Sequence, residues 1–506
     1  MPPYYLYREL LDKICNELWD EERVNDSGRD LARLAQACKV FQDPALDVLY
    51  YEIVGFESLF KILPRDSWST DGGAFALTRP LRVCDWDVFR KNASRIRRLS
   101  QPMDTPAITA EAFEAFCLCP HSPILPNLRH LMWENKSLFP GNLLRLLCGP
   151  KLTHLDFPFI PRSFMSIIST ICIGCHDLRY LSVGPASRKD FRSFLTMVED
   201  ALGYAPALRV INLRSKTTVS FFETSSKLPC LQELDVQSLH KMELVSPPAS
   251  NGVLFPLLQS LGFSQTPLGD ISTTLSFLGL LPSLDSFSAS MCTTGLALDI
   301  ACLLKTLGFN VNPQKFTDLS VEGDLTEGIA DALPLTMECL KPLMLFANIQ
   351  NISITTTAPF SLEDGDIRTL SASWPNLQSI EFGGCKRLHG HKKPTVQGLA
   401  TLLTNCPLLE DADLVVDMRL KHNLSPKWLN CGPNVERLHL GFSPLDDPIY
   451  VASALNFLMP GLTKMWAWED DMGVQAPGAH GDQWAEVKRL VTGFNARETY
   501  RRQWLA

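Results

Sequence analysis

A phrase of the form apolar-x-x-apolar-x-apolar returns along most of the chain, and a periodic unit of this kind limits the fold before any single segment is considered. It reads Leu152-Thr-His-Leu155-Asp-Phe157, Leu178-Arg-Tyr-Leu181-Ser-Val183, Leu231-Gln-Glu-Leu234-Asp-Val236 and Leu377-Gln-Ser-Ile380-Glu-Phe382. Its first apolar position recurs at Ile96, Leu128, Leu152, Leu178, Leu208, Leu231, Leu258, Leu284, Phe316, Ile349, Leu377, Leu409, Val435 and Leu462. The step averages about 28 residues, within the range of leucine-rich repeats. The spacing is least regular near Phe316 and Ile349, where the units fit poorly.

Each phrase predicts a short strand whose alternate residues point inward. The intervals predict helices, with apolar residues at helical spacing in Ser163 to Cys175, Asp190 to Leu202, Leu296 to Leu307, Val396 to Leu403 and Ile449 to Leu458. Proline stands just ahead of many phrases, at Pro126, Pro206, Pro229, Pro282, Pro375, Pro407 and Pro460. It lacks a donor and disfavours helix in the residue before it, so it ends the incoming helix. The expected fold class is an α/β solenoid, a leucine-rich-repeat horseshoe of about 13 to 14 irregular units, each burying its apolar side against its neighbours.

The chain has 506 residues, 45% of them hydrophobic and 20% charged, as in soluble globular proteins. Arg8, Glu9, Asp12 and Lys13 interrupt any signal-like apolar run, and no apolar stretch is long enough to span a membrane. A cytoplasmic or nuclear location is expected, with the fifteen scattered cysteines as buried free thiols. The net charge of −8 argues against nucleic acid as a partner.

Residues 1–54 precede the array and carry three short amphipathic patterns. The first runs through Leu6, Leu10, Leu11, Ile14 and Leu18. The second opens with a capping-box pattern at Ser27-Gly-Arg-Asp30 and continues through Leu31, Leu34 and Cys38. The third opens at Asp43-Pro44 and groups Leu46, Leu49, Tyr50 and Ile53. So small a unit buries little surface and needs a partner or a neighbouring body.

Arg8-Glu9-Leu10-Leu11-Asp12-Lys13-Ile14, Asp30-Leu31-Ala32-Arg33-Leu34-Ala35-Gln36-Ala37-Cys38-Lys39-Val40-Phe41 and Pro44-Ala45-Leu46-Asp47-Val48-Leu49-Tyr50 resemble the F-box motif of fungal F-box proteins. That family joins an F-box to leucine-rich repeats, and the order of parts here is similar over nearly the whole chain. The chain departs from the family pattern at Tyr7, where proline is usual, and at Tyr50, where tryptophan is common. The resemblance implies a three-helix F-box-like domain that docks a Skp-type adaptor and, through it, a cullin-RING ubiquitin ligase, while the repeats hold a protein substrate. On this resemblance Leu6, Leu10, Leu11, Ile14, Leu31, Leu34, Cys38 and Phe41 divide between the small core and the adaptor face. The expected divisions are the F-box-like domain (1–54), a helical linker or N-terminal cap (55–95), the repeats (96–470), and a C-terminal loop with a capping helix through Trp484, Val487, Leu490, Val491 and Phe494 (471–506).

No catalytic set, cofactor or metal is expected. Cys172-Ile-Gly-Cys175-His176 matches haem-attachment spacing, but it ends a helical stripe directly before a strand phrase. His389-Gly-His391 lies in a polar loop, and Glu469, Asp470 and Asp471 form an acidic one. There is no Walker-type loop, no G-x-G-x-x-G after a strand and no G-x-S-x-G elbow. On the concave face, acids at Glu134, Asp156, Glu233, Asp235, Asp318, Glu322, Glu381, Asp411 and Asp413 outnumber bases at Arg98, Arg214, Arg437 and Lys464. With Trp466 and Trp468 at the last repeat, this predicts a substrate face for a basic segment with an apolar anchor. The alternatives are a repeat scaffold with no ligase role, whose N-terminal helices only cap the array, and tryptophans that pack under the C-terminal cap.

Overall fold

The computed structural model describes residues 3–19, 24–71, 73–136, 141–239, 253–292, 297–323, 333–356, 358–383, 391–419, 424–468 and 479–505. These residues form two compact units, 1–231 and 232–506. Each carries the parallel strands and helices of an α/β solenoid of leucine-rich repeats, preceded in the first unit by a small three-helix domain. All fourteen first apolar positions are buried, and each lies two residues ahead of a strand. Phe316 and Ile349 obey the rule as closely as the others, which corrects the expectation of poor fit there. The Phe316 ring packs on Phe346, 4.6 Å between centroids, and both are fully buried.

In the first unit the strands Glu52–Val54, Arg98–Gln101, His130–Trp133, His154–Ile160, Tyr180–Pro185 and Val210–Thr217 pair in parallel, in that order. The register aligns Ile53, Leu99, Leu131, Leu155, Leu181 and Ile211 as one buried row. The second unit repeats the device from Glu233–Leu239 to Lys464–Trp466, with Leu234, Leu261, Phe287, Leu319, Ile352, Ile380, Ala412 and Leu438 in successive register. A one-residue slip would turn every such row outward, so burial on one face holds the register. Asparagine after the strand-preceding proline adds a polar tie between neighbouring turns. Asn127 Nδ2 donates to the Ser94 carbonyl at 2.7 Å and Asn434 Nδ2 to that of Pro407 at 2.9 Å.

The predicted helices form at Ile167–Gly174, Phe191–Leu202, Ala297–Asn310, Val396–Asn405 and Pro448–Leu458. The first ladder strand, Glu52–Val54, starts inside the span expected for the helical domain, because the chain passes into the sheet as soon as the third helix ends. Residues 55–117 then do more than link. Phe56, Phe60, Trp86, Phe89 and Phe116 are buried and touch ring to ring at 4.6 to 6.2 Å, mostly edge to face, so this segment has an aromatic core of its own.

The N-terminal helices are α1 (Pro3–Glu17), α2 (Val24–Ala37) and α3 (Lys39–Leu49). Two starts differ from expectation. Helix α2 begins a turn before the Ser27 capping pattern, and α3 begins at Lys39 and runs through Pro44. Asp43 is therefore free to turn its carboxylate to Arg95 instead of capping. Among the described residues no helix is long and apolar enough to cross a membrane.

Candidate functional site

The three-helix domain is held by a small cluster. Cys15, Leu31 and Ala45 are fully buried and Leu11 nearly so, with Trp19, Leu34, Ala35, Phe41 and Val48 packed around them. Leu11 and Leu31 are thus core residues, a correction to their place among adaptor contacts, and Leu34 and Phe41 are half-buried supports. Leu10, Ile14 and Leu18 lie outside the core, 57%, 40% and 43% exposed. Their i, i+4, i+8 spacing sets them along one face of α1 and its end. Cys38 and Val40 are exposed at the α2–α3 junction. Leu6 lies on α1 with its side chain outside the described residues.

This domain is fastened to the first repeats by charge. Arg95, largely buried, pairs with both Asp43 and Asp47 on α3, and Arg8 Nη2 on α1 reaches Asp47 at 2.7 Å. Tyr51 continues the tie through the backbone, its carbonyl accepting from the N–H groups of Arg97 and Arg98.

The strand face opposite the buried rows is the second candidate surface. In the first unit it is not acidic. Register partners His130, His154 and Tyr180 stack, with centroids 4.0 Å and 5.7 Å apart, beside Arg98, Arg129 and Arg179. Burial, helped by His154, Arg98 and Arg129, lowers the His130 imidazole to about 4, and burial with Arg98 and Arg179 lowers that of His154. Both rings are neutral at pH 7. Asp156 gives one oxygen to Arg214 at 3.3 Å, and Glu134 lies just past its strand. The acidic reading of this half is therefore corrected. Arg129 and Arg179 fall outside the expected set because each stands one residue ahead of its strand. The recurring Leu-Arg-His, Leu-Thr-His and Leu-Arg-Tyr triplets carry the missed signal.

In the second unit acids do gather. Glu381, Asp413, His439 and Trp466 are successive register partners. Ser353 and Thr355 donate to the Glu381 carboxylate at 2.6 and 3.2 Å, and the His439 and Trp466 rings stack at 4.2 Å. Asp411 pairs with Arg437, while Glu233 and Asp235 face Ser260 and Gly262 across the ladder. Asp318 accepts from Thr317 and Asn351. Trp468 is not an open anchor. Its Nε1 donates to the Ser443 carbonyl at 2.7 Å and its ring packs on Phe442 and His480, so it lies under the terminal helix. Glu469, Asp470, Asp471 and His389 fall outside the described residues.

Burial, reinforced by Glu381, raises Asp413 to about 7. The unfolded carboxyl titrates near 3.8, so the folded state binds the extra proton between about pH 4 and 7 and loses stability as pH rises through that window. Asp413→Asn is expected to stabilise the protein by about 1–2 kcal/mol at pH 8 and to bring no gain at pH 4. Urea denaturation at the two pH values checks this.

Cys172 and Cys175 are buried thiols whose titration burial moves up to about 12 and about 11, while His176 is exposed. A ligand set would need the thiolates. Among the described residues no group of three or more His, Cys, Asp or Glu is placed to hold a metal.

No protein-family model matches the chain. A Transport inhibitor response 1-like protein of Oryza sativa subsp. japonica is 34% identical over 84 residues, 16% of this chain. The chain matches about an eighth of that curated relative's length, 13%. Among solved structures, the Rad7 and Elc1 complex of yeast aligns over 66% of this chain and 80% of its own, with 16% identity and a TM-score of 0.35. A Leptospira interrogans LRR protein aligns over 77% and 95%, with 13% identity and a TM-score of 0.34.

Proposed function

We propose that this chain is the substrate-recognition subunit of a Skp-cullin-F-box ubiquitin ligase, working in the cytoplasm or nucleus, and that it carries no transfer chemistry of its own. The exposed Leu10, Ile14 and Leu18 row on a domain with a very small core carries this reading. An apolar stripe left outside such a core is what an adaptor would cover. Support comes from the N-terminal resemblance to fungal F-box proteins and from the match to a rice Transport inhibitor response 1-like protein. In this reading Leu10, Ile14 and Cys38 meet the adaptor, and the Arg95 ties hold the repeats, with any bound protein, at a set angle to the ligase.

The test is co-purification with a Skp-type adaptor. Leu10→Asp with Ile14→Asp is expected to weaken adaptor binding roughly thirtyfold or more. Both side chains are exposed, so the thermal midpoint should stay within a few degrees of the parent chain. Undiminished binding by a folded double variant would defeat the docking claim. One observation favours the second reading, a scaffold whose helices merely cap the array: α1 and α3 are ion-paired to the first repeats as a cap would be. Failure of the parent chain to bind any Skp-type adaptor would decide for it.

A further inference from the structure

Three successive repeats of the first unit place Arg129, Thr153 and Arg179 at the same point, immediately before the strand. They are adjacent rungs, since the Thr153 N–H donates to the Arg129 carbonyl at 2.9 Å and the Arg179 N–H to that of Thr153 at 2.8 Å. Two strand spacings set the arginine backbones about 9.5 Å apart. The short threonine between them leaves a depression of about 450 Å³, lined also by Lys151 and by His130 and His154, with Asp177 its single carboxylate. Arg129 and Arg179 are exposed and make no ion pair among the described residues. Lys151 gives one hydrogen to Asn127 at 2.6 Å and keeps two more to donate.

We infer that this notch binds an anionic side chain, phosphoryl or carboxylate, on a linear peptide segment of a partner protein. Two guanidinium groups on opposite walls and an ammonium at the rim can meet separate oxygens of one anionic group, which a single surface cation cannot do. The neighbouring hollow of about 290 Å³ shares His130 and His154 and continues along the same strands past Tyr180 to Asp156. There the stacked rings offer a flat aromatic floor. A short segment therefore finds a cationic clamp and an aromatic floor in a fixed order.

The inference rests on the strand face being where a partner is held, and it does not depend on adaptor docking. Fluorescence anisotropy on the full chain tests it with three labelled Gly-Ser peptides: one with a single phosphoserine, one with three consecutive glutamates, and one neutral. The anionic peptides are expected to bind and the neutral one not, with affinity falling as salt rises. Preference for the phosphoserine peptide assigns the notch to phosphoryl groups, and equal or stronger binding of the glutamate peptide assigns it to carboxylate runs. Arg129→Gln with Arg179→Gln should weaken binding about tenfold or more. Arg188→Gln with Lys189→Gln, exposed outside the notch, should leave it unchanged. Binding of neither anionic peptide at low salt, or equal binding by the Arg129/Arg179 variant, would overturn the assignment. Adaptor co-purification with that variant should be unchanged, so failure of the ligase reading stays distinguishable from failure of this one.

Discussion

Trp484→Ala is expected to lower the stability of the last repeats by about 3–5 kcal/mol, the cost of emptying a fully buried indole site. Trp484 leads the inner face of the C-terminal helix, Ala479–Leu505, followed by buried Val487 and Val491. Its Nε1 donates to the Ser443 carbonyl at 2.8 Å, and Trp468 Nε1 donates to the same oxygen at 2.7 Å. A carbonyl has two lone pairs, so both indoles are satisfied by one acceptor. Ser443 is also fixed through its hydroxyl, which accepts from the Val416 N–H at 2.8 Å and donates to Leu440. The terminal helix thereby closes the last rungs of the array, which would otherwise expose their apolar side. Trp484→Phe should cost far less than the alanine variant, because most of the volume stays and Trp468 still serves the carbonyl. Hydrogen exchange is the decisive measurement. Protection of the strands Arg437–His439 and Lys464–Trp466 should fall in Trp484→Ala, while that of Tyr180–Pro185 should not.

What could be read in the sequence depended on whether one residue's role was fixed by its own repeat. The first apolar position of each phrase is fixed in that way, since a short strand must bury the same corner against both neighbours. Even Phe316 and Ile349, with uneven spacing around them, fall into register with their neighbours. The Glu52–Val54 strand was not legible because Tyr50 and Tyr51 stand where the phrase would start, and only the pairing with Arg98–Gln101 makes it a rung. Electrostatics was less legible still. The charges along the chain predict an acidic face, but Asp156 is paired with Arg214 and Asp411 with Arg437, while Arg129 and Arg179 are brought together across a threonine. Trp466 and Trp468 are two residues apart, yet one lies on the open strand face and the other turns under the terminal helix at a positive φ of 52°.

Asp85→Ala is the second large effect, an expected loss of about 3–5 kcal/mol at pH 7, as for a buried pair broken from one side. The Asp85 carboxylate is almost wholly buried and takes Arg79 through two bonds, at 2.6 and 3.1 Å. It also accepts the Arg82 N–H at 2.8 Å, which closes the first turn of the helix Val83–Ala93. Removing it leaves the partly buried guanidinium with the exposed Asp66, at 2.9 Å, as its remaining ion pair and with the Pro80 carbonyl, at 3.2 Å. The Arg79 bonds hold Asp85 down at about 2, below the 3.8 of the unfolded chain. Its contribution is therefore complete above about pH 4 and lost as pH falls through 2, so the gap between parent and variant should close over that interval. Arg79→Met with Asp85→Leu should recover most of the loss, because an apolar pair leaves no buried charge unpaired. The consequence reaches the proposed docking domain. The same helix carries Trp86 and Phe89 into the aromatic core and ends two residues before Arg95, whose guanidinium holds Asp43 and Asp47 of α3. If that helix loosens, Asp85→Ala should raise hydrogen exchange in α3 although the substitution lies outside it. A stability loss confined to residues 55–117, with α3 as protected as before, would show that the domain is held by its own small core and not by Arg95.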